Sequence, residues 1–252
     1  MDIEKLFEEW KKYLTGTLNH QPGQNLLNHS ILSTIQLMVD DDFIFRTFHS
    51  ANLEMLKNEG IYNDLFCSNT YLGRVFVNWY YTTQSLYIRK LTENSARGDG
   101  WKKTCSLINL LTSIEKNFVH INREKFRIIH KNNPNIAYAD IRFDAISNKD
   151  EGTRKDNDEI SLNYLAHLKN RLETEEIKKI RSYTDKVVAH SDFAGFKDSF
   201  NMETIKKCHE VIIEVFREIE SNFFMQPSTF GETKLWKELL LQNADKPFMS
   251  NK

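Results

Sequence analysis

The stretch NMETIKKCHEVIIEVFREIESNF, residues 201–223, has the clearest secondary-structure pattern in the chain. Its apolar side chains recur at spacings of three and four, the period of one face of an α-helix. Asn201 is predicted to cap this helix, because a short polar side chain can accept a hydrogen bond from a first-turn amide. The predicted inward face consists of Ile205, Cys208, Ile212, Val215, Phe216, Ile219 and Phe223.

Helical spacing continues upstream of this stretch. Thr174 is a predicted N-cap, followed by the acidic first-turn residues Glu175 and Glu176, which the helix dipole favours. One face of that predicted helix carries a mostly apolar stripe, formed by Ile177, Ile180, Thr184, Val187 and Val188. Further helices are predicted at 2–14, 25–38, 42–58, 69–92, 101–118, 160–172 and 233–241.

Three regions interrupt this helical pattern. The sequence predicts a break between two helices at Asp40, Asp41 and Asp42. These residues indicate a solvated helix start, and a cation site is the much weaker alternative. Pro134 divides residues 122–147, and residues 148–158 (NKDEGTRKDND) are the most polar run and predict an exposed loop.

Glycine and proline are scarce, which favours long helices. Nine Gly and four Pro in 252 residues make roughly 5%, against about 12% in an average protein. With no strand pattern, we expect an all-α helical bundle with additional N-terminal helices. Residues 67–226 would form the bundle and 227–252 a short helix and tail, while 1–66 are either a separate layer or part of the same domain.

Composition excludes several classes of function. The chain has 34 Lys plus Arg and 35 Asp plus Glu, a formal net charge of −1, which excludes polybasic binding of nucleic acid. Cys67, Cys105 and Cys208 are odd in number and lack CxxC spacing, which argues against disulfides and a cysteine zinc site. With no signal peptide and no run of about 18 apolar residues, we expect a cytoplasmic protein without membrane contact.

Common catalytic motifs are also missing from the sequence. There is no GxGxxG, GxxxxGK[ST], HExxH or GxSxG motif, and the eight histidines are dispersed. The sequence therefore predicts neither a nucleotide cofactor nor a bound metal.

The segment IRSYTDKVVAHSD, residues 180–192, concentrates chemistry-bearing side chains at the end of a predicted helix. On a continuous α-helix Lys186 and His190 share a face, with Tyr183 nearly in line and Arg181 on the opposite side. A purely structural interpretation is also open. Arg181 and Asp185 would then form a surface i,i+4 pair, and His190 would interact with helix C-terminal carbonyls.

Residues 185–192 resemble the R-D-K-x-x-A-H-x-D signature of HEPN domains, in particular the abortive-infection AbiU-type branch. Residues 84–92 (QSLYIRKLT) and 106–111 (SLINLL) are similar to that branch's Ile-Arg-Arg-Leu … Ser-Leu … Leu-Leu helix pair. The resemblance covers about residues 69–224.

The resemblance implies a homodimeric helical bundle, often a metal-independent endoribonuclease that acts as a toxin or in phage defence. An antitoxin or a neighbouring-gene protein would be a further partner. His190 would exchange protons with the ribose 2′-hydroxyl and the leaving 5′-oxygen, and a cation would stabilise the phosphate. The candidate catalytic residues are His190, Lys186 and Arg181, and the candidate substrate-binding residues are Asp185, Asp192, Lys178 and Tyr183.

The sequence departs from the signature at one position. Thr184 stands where the signature has its arginine, and a hydroxyl cannot supply a fixed positive charge. An alternative is therefore a catalytically inactive HEPN-like module that binds RNA, a nucleotide or a protein. A third hypothesis is a structural dimerisation bundle, with Trp79, Tyr80 and Tyr81 in its core and interface.

Overall fold

Helices make up nearly all the regular structure in the parts of the chain that the computed structural model describes, residues 2–16, 30–58, 71–94, 106–188 and 200–226. The described residues contain no β-strand, and one isolated antiparallel bridge joins Asn122 and Glu159. The prediction of an all-α fold is therefore confirmed. In chain order the helices are α1 (Ile3–Thr15), α2 (Ile31–Asn58), α3 (Tyr71–Thr92), α4 (Leu107–Asn117), α5 (Arg123–Ile129), α6 (Ala139–Ser147), α7 (Leu162–Arg171), α8 (Glu175–Tyr183) and α9 (Met202–Asn222).

Shorter turns join these helices. 3₁₀ turns span Phe118–His120, Ile136–Tyr138 and Glu151–Thr153, and α8 continues into a π-helical turn, Thr184–Val188. The predicted helix at 233–241 and the starts of the predicted helices at 25–38 and 101–118 lie outside the described residues.

The two predicted caps in the last third of the chain are confirmed. Thr174 Oγ1 accepts a hydrogen bond from the Ile177 amide at 3.4 Å, and Asn201 Oδ1 accepts one from the Thr204 amide at 2.9 Å. All seven residues predicted to face inward from α9 and its end are buried. Polar caps and apolar periodicity therefore define these elements locally.

Helix α1 packs into the same core as the later helices. Phe7, Trp10 and Leu14 are buried, and Trp10 Nε1 donates a hydrogen bond to Ser113 Oγ of α4 at 2.9 Å. Phe7 also contacts the ring of Phe224, beyond α9, with a centroid distance of 5.1 Å. The described part of the N-terminal segment therefore shares one hydrophobic core with the bundle.

The predicted helix break at Asp40–Asp42 is wrong, because α2 runs through these residues without interruption. Tyr87 Oη donates to Asp41 Oδ2 at 2.8 Å, and Tyr80 Oη donates to Asp42 Oδ1 at 2.5 Å. Two of these carboxylates therefore bind α2 to α3 instead of starting a solvated helix.

Residues 148–158 are mostly exposed, as predicted, but ion pairs anchor them to the bundle. Arg154 Nη2 lies 2.6 Å from Asp144 Oδ2 of α6. Asp158 accepts a hydrogen bond from Arg123, whose side chain is fully buried, at 3.2 Å. Ion pairs thus hold this polar run on the bundle. Among the described residues, no helix is long and apolar enough to cross a membrane.

Candidate functional site

The C-terminal half of α3 packs on the end of α8, which brings together two of the stretches that carry the resemblance to HEPN domains. Arg89 Nε of α3 lies 2.7 Å from Asp185 Oδ1. Thr184 Oγ1 lies 3.3 Å from the Ser85 carbonyl oxygen. Stretches separated by nearly a hundred residues in sequence therefore form one surface, here called the α3–α8 surface and defined by residues 84–92 and 180–188.

A third contact at this surface involves Arg181. Its Nη1 donates to the carbonyl oxygen of Thr92, the last residue of α3, at 2.9 Å. Nη1 and Nη2 of Arg181 also donate to the Glu173 carboxylate, at 2.9 and 2.6 Å. This candidate catalytic residue is thus engaged bidentately and ties the end of α3 to the start of α8.

The structural alternative for this segment paired Arg181 with Asp185. The structure pairs Arg181 with Glu173 and Asp185 with Arg89 instead. Both partners come from other elements, so an i,i+4 pattern on one helix was the wrong guide to these contacts.

The predicted helix does not stay regular through the signature. From Thr184 to Val188 the backbone forms a π-helical turn, in which hydrogen bonds span five residues instead of four. Thr184 is buried, and its hydroxyl also lies 2.9 Å from the Ile180 carbonyl oxygen, a side-chain bond that competes with the backbone ladder.

The π turn interrupts the regular α-helical geometry at Thr184–Val188. The expectation that Tyr183, Lys186 and His190 share one face assumed a continuous α-helix, and that premise is wrong for these five residues. His190 and Asp192 themselves lie outside the described residues. Single π turns within α-helices occur often at functional sites.

Cationic side chains of this surface reach the solvent. Arg89 is 36% exposed and its partner Asp185 is 54% exposed, while Lys186 is exposed. Exposed ion pairs contribute only about 0–1 kcal/mol, so an incoming phosphate can replace Asp185 at the Arg89 guanidinium at little cost. Lys178, the remaining cationic candidate, is exposed and lies 2.9 Å from Glu175 of its own helix.

Tyr183 belongs to this surface and lies in an aromatic cluster. Its ring meets Phe200 edge to face at a centroid distance of 4.9 Å, and Tyr81 of α3 meets the same ring at 5.5 Å. Phe200 directly precedes the cap of α9. The end of α8 and the approach to α9 are therefore both fixed on this cluster.

Arg89 is the site residue that sequence reasoning missed. It stands in the IRKL stretch, which carries the resemblance, but only the fold brings it to Asp185. One signal could have identified it. Two stretches carry the resemblance to HEPN domains, and one contains the cationic Arg89 while the other contains the anionic Asp185.

No group of three or more His, Cys, Asp or Glu side chains suited to a metal ion occurs within the described ranges. No family model matches the sequence, and comparisons with curated proteins and with solved structures find no match.

Proposed function

We propose that this chain is a HEPN-like, metal-independent endoribonuclease that binds RNA at the α3–α8 surface. The observation that carries the proposal is the contact between Arg89 and Asp185, at 2.7 Å. This contact joins the two stretches on which the resemblance depends. An exposed arginine beside a predicted catalytic segment is suited to bind a phosphate.

The proposed reaction needs one proton acceptor and one proton donor. His190 takes the proton of the ribose 2′-hydroxyl, and the 2′-oxygen attacks phosphorus as the bond to the 5′-oxygen breaks. The leaving 5′-oxygen receives a proton, from His190 or from its counterpart in a second copy. The products are a 2′,3′-cyclic phosphate and a free 5′-hydroxyl.

The cations divide into two proposed roles. Arg89 and Lys186 stabilise the negative charge of the phosphate, because their side chains reach the solvent. Arg181 holds α3 and α8 together through Glu173 and Thr92 and so positions the surface. It therefore acts through other residues in this proposal.

A second candidate function is RNA binding without cleavage. Thr184, at the position of the signature's arginine, is 1% exposed and its hydroxyl is directed at backbone carbonyls. This position therefore supplies no charge to a substrate, which favours an inactive module. In either case we propose a cytoplasmic homodimer acting in phage defence or as a toxin, restrained by an antitoxin or a neighbouring-gene protein.

The proposal is tested by incubating the purified full-length protein with mixed RNA in EDTA. Wild-type protein is expected to cleave RNA and leave cyclic phosphate ends. His190→Ala is expected to abolish cleavage while RNA binding, measured by gel shift, is retained. His167→Ala, which alters an exposed histidine of α7, is the matched control and should cleave normally.

The outcomes separate the two candidate functions. RNA that is shifted but never cleaved by wild-type protein would favour the inactive module. Cleavage that survives His190→Ala, or that EDTA abolishes, would contradict the proposed mechanism. Absence of both binding and cleavage would overturn both candidates.

A further inference from the structure

Helices α2 and α3 carry a row of large apolar side chains that the core leaves uncovered. Each of the six is between 40 and 48% exposed, although helix surfaces normally carry polar residues at such positions. Three belong to α2 and three to α3: Leu37, Ile44, Phe48, Val75, Trp79 and Leu86. We call this set the α2–α3 face.

The six side chains lie on one side of the helix pair. On α2 they are spaced by seven and four residues, and on α3 by four and seven, so each set follows one helical stripe. The helices run antiparallel, since Gln84 Nε2 donates to the Met38 carbonyl oxygen at 3.1 Å and Tyr80 binds Asp42. This register places Leu37 near Leu86, Ile44 near Trp79 and Phe48 near Val75.

Aromatic contacts join the two stripes. Phe48 of α2 meets Phe76 of α3 edge to face at 5.9 Å, and Phe76 stacks on Trp79 at 5.6 Å. Phe76 also stacks on the buried Phe45, at 5.2 Å. The exposed rings are therefore an extension of the core packing and present a continuous surface.

Charged groups along the seam between the helices are already paired. Asp41 accepts a hydrogen bond from Tyr87, and Asp42 accepts bonds from Tyr80 and Arg46. Covering the seam therefore leaves these carboxylates hydrogen-bonded, which lowers the cost of burying them.

The area of the α2–α3 face matches what a dimer interface needs. Exposed fractions of 40–48% correspond to about 500–600 Å² of apolar surface, taking roughly 200 Å² for each large side chain. A standard interface buries about 800 Å² per partner, of which about 56–65% is apolar, so it needs roughly 450–520 Å² of apolar surface on each copy.

We infer that the α2–α3 face is the interface with a second copy of this chain. An isologous contact joins the same patch on both copies, and two antiparallel helix pairs can pack in this way as a four-helix layer. The inference locates the homodimer proposed above and rests on that part of the proposal. Its test measures mass and not RNA cleavage, so the dimer and the nuclease activity can fail separately.

Sedimentation equilibrium on the full-length chain tests this inference. Wild-type protein is expected to have twice the chain mass of 29.7 kDa. Ile44→Glu and Trp79→Glu, made separately, are each expected to weaken the dimer by about tenfold or more, as for central interface residues. Because both side chains are exposed, far-UV circular dichroism should stay unchanged.

The matched control is Ile141→Glu. Ile141 is 57% exposed and belongs to α6, which packs chiefly on α5 and α9. This variant should remain a dimer. A wild-type chain that stays monomeric at high micromolar concentration would overturn the inference and leave the face to another partner. A dimer that survives both glutamate substitutions, or that Ile141→Glu disrupts equally, would overturn it as well.

Discussion

Two arginine–aspartate clusters in this molecule use the same side chains in opposite surroundings. Arg123 has no exposed side-chain area, and its guanidinium contacts Asp140, Asp144 and Asp158 at distances of 2.8 to 3.5 Å. Arg89, on α3, is 36% exposed and pairs with Asp185 at 2.7 Å. The first cluster is closed to solvent and the second is open to it.

The difference teaches which cluster can bind a ligand. A buried guanidinium surrounded by carboxylates leaves no room for a phosphate, and losing its partners would expose an uncompensated charge to a low dielectric. The Arg123 cluster therefore holds α5, α6 and residues 148–158 together. An exposed pair costs little to open, so the Arg89 cluster is available for exchange.

The largest expected effect comes from Arg123→Met. It leaves Asp158, which is 7% exposed, without its arginine partner, and removing one member of a buried ion pair costs about 3–5 kcal/mol. The free energy of unfolding, measured by urea denaturation, should fall by that amount.

Arg127→Met is the matched control for this prediction. Arg127 lies on the same helix and is 40% exposed, so its loss should cost under about 1 kcal/mol. Equal losses for the two variants would show that burial does not distinguish these clusters.

A buried polar group without a carboxylate pair extends the comparison. His209 of α9 is 6% exposed and its Nε2 has no hydrogen-bond partner. Burial lowers the pKa of His209 to about 4, although the nearby Asp42 opposes this and Arg46 adds to it. The ring is thus neutral in the folded protein, where the unfolded chain would bind a proton near pH 6.5.

The sign of the pH effect follows from this difference. Between about pH 4 and 6.5 the unfolded chain binds more protons, so stability falls as the pH falls through this window. His209→Leu should remove up to about 3 kcal/mol of this acid sensitivity, measured by urea denaturation at pH 7 and pH 4. His167→Leu, at an exposed position, should leave the pH dependence intact. Identical profiles for His209→Leu and wild type would contradict the assigned burial effect.

The smallest expected effect on stability is that of Asp185→Asn. Its carboxylate is 54% exposed and pairs with one arginine, so the free energy of unfolding should change by under about 0.5 kcal/mol. Asp158→Asn, with a side chain that is 7% exposed and paired with Arg123, should cost clearly more. A loss at Asp185 as large as that at Asp158 would mean that the Arg89 cluster is structural too.

Local patterns in the sequence predicted much of the helical fold. The caps Thr174 and Asn201 and the inward face of α9 depend on neighbouring residues alone, and these predictions are confirmed. The triple aspartate at 40–42 misled because its hydrogen-bond partners, Tyr80 and Tyr87, belong to another helix.

The candidate site was less predictable for the same physical reason. The π turn at Thr184 accompanies a contact with the Ser85 carbonyl oxygen on α3, which no spacing within residues 180–192 encodes. Arg89 and Glu173 likewise find their partners through tertiary packing. Residue types indicated the chemistry of the segment, whereas the arrangement of its charges depended on the fold.

RNA affinity of two arginine variants tests the central claim, that the open cluster on the α3–α8 surface binds RNA. Arg89→Gln and Arg127→Gln each remove one charge from a similarly exposed, aspartate-paired arginine. Fluorescence anisotropy with labelled RNA should show affinity falling about tenfold for Arg89→Gln, consistent with a charge-assisted phosphate contact. Affinity should be unchanged for Arg127→Gln. Equal affinities for the two variants, or a larger loss for Arg127→Gln, would contradict the claim.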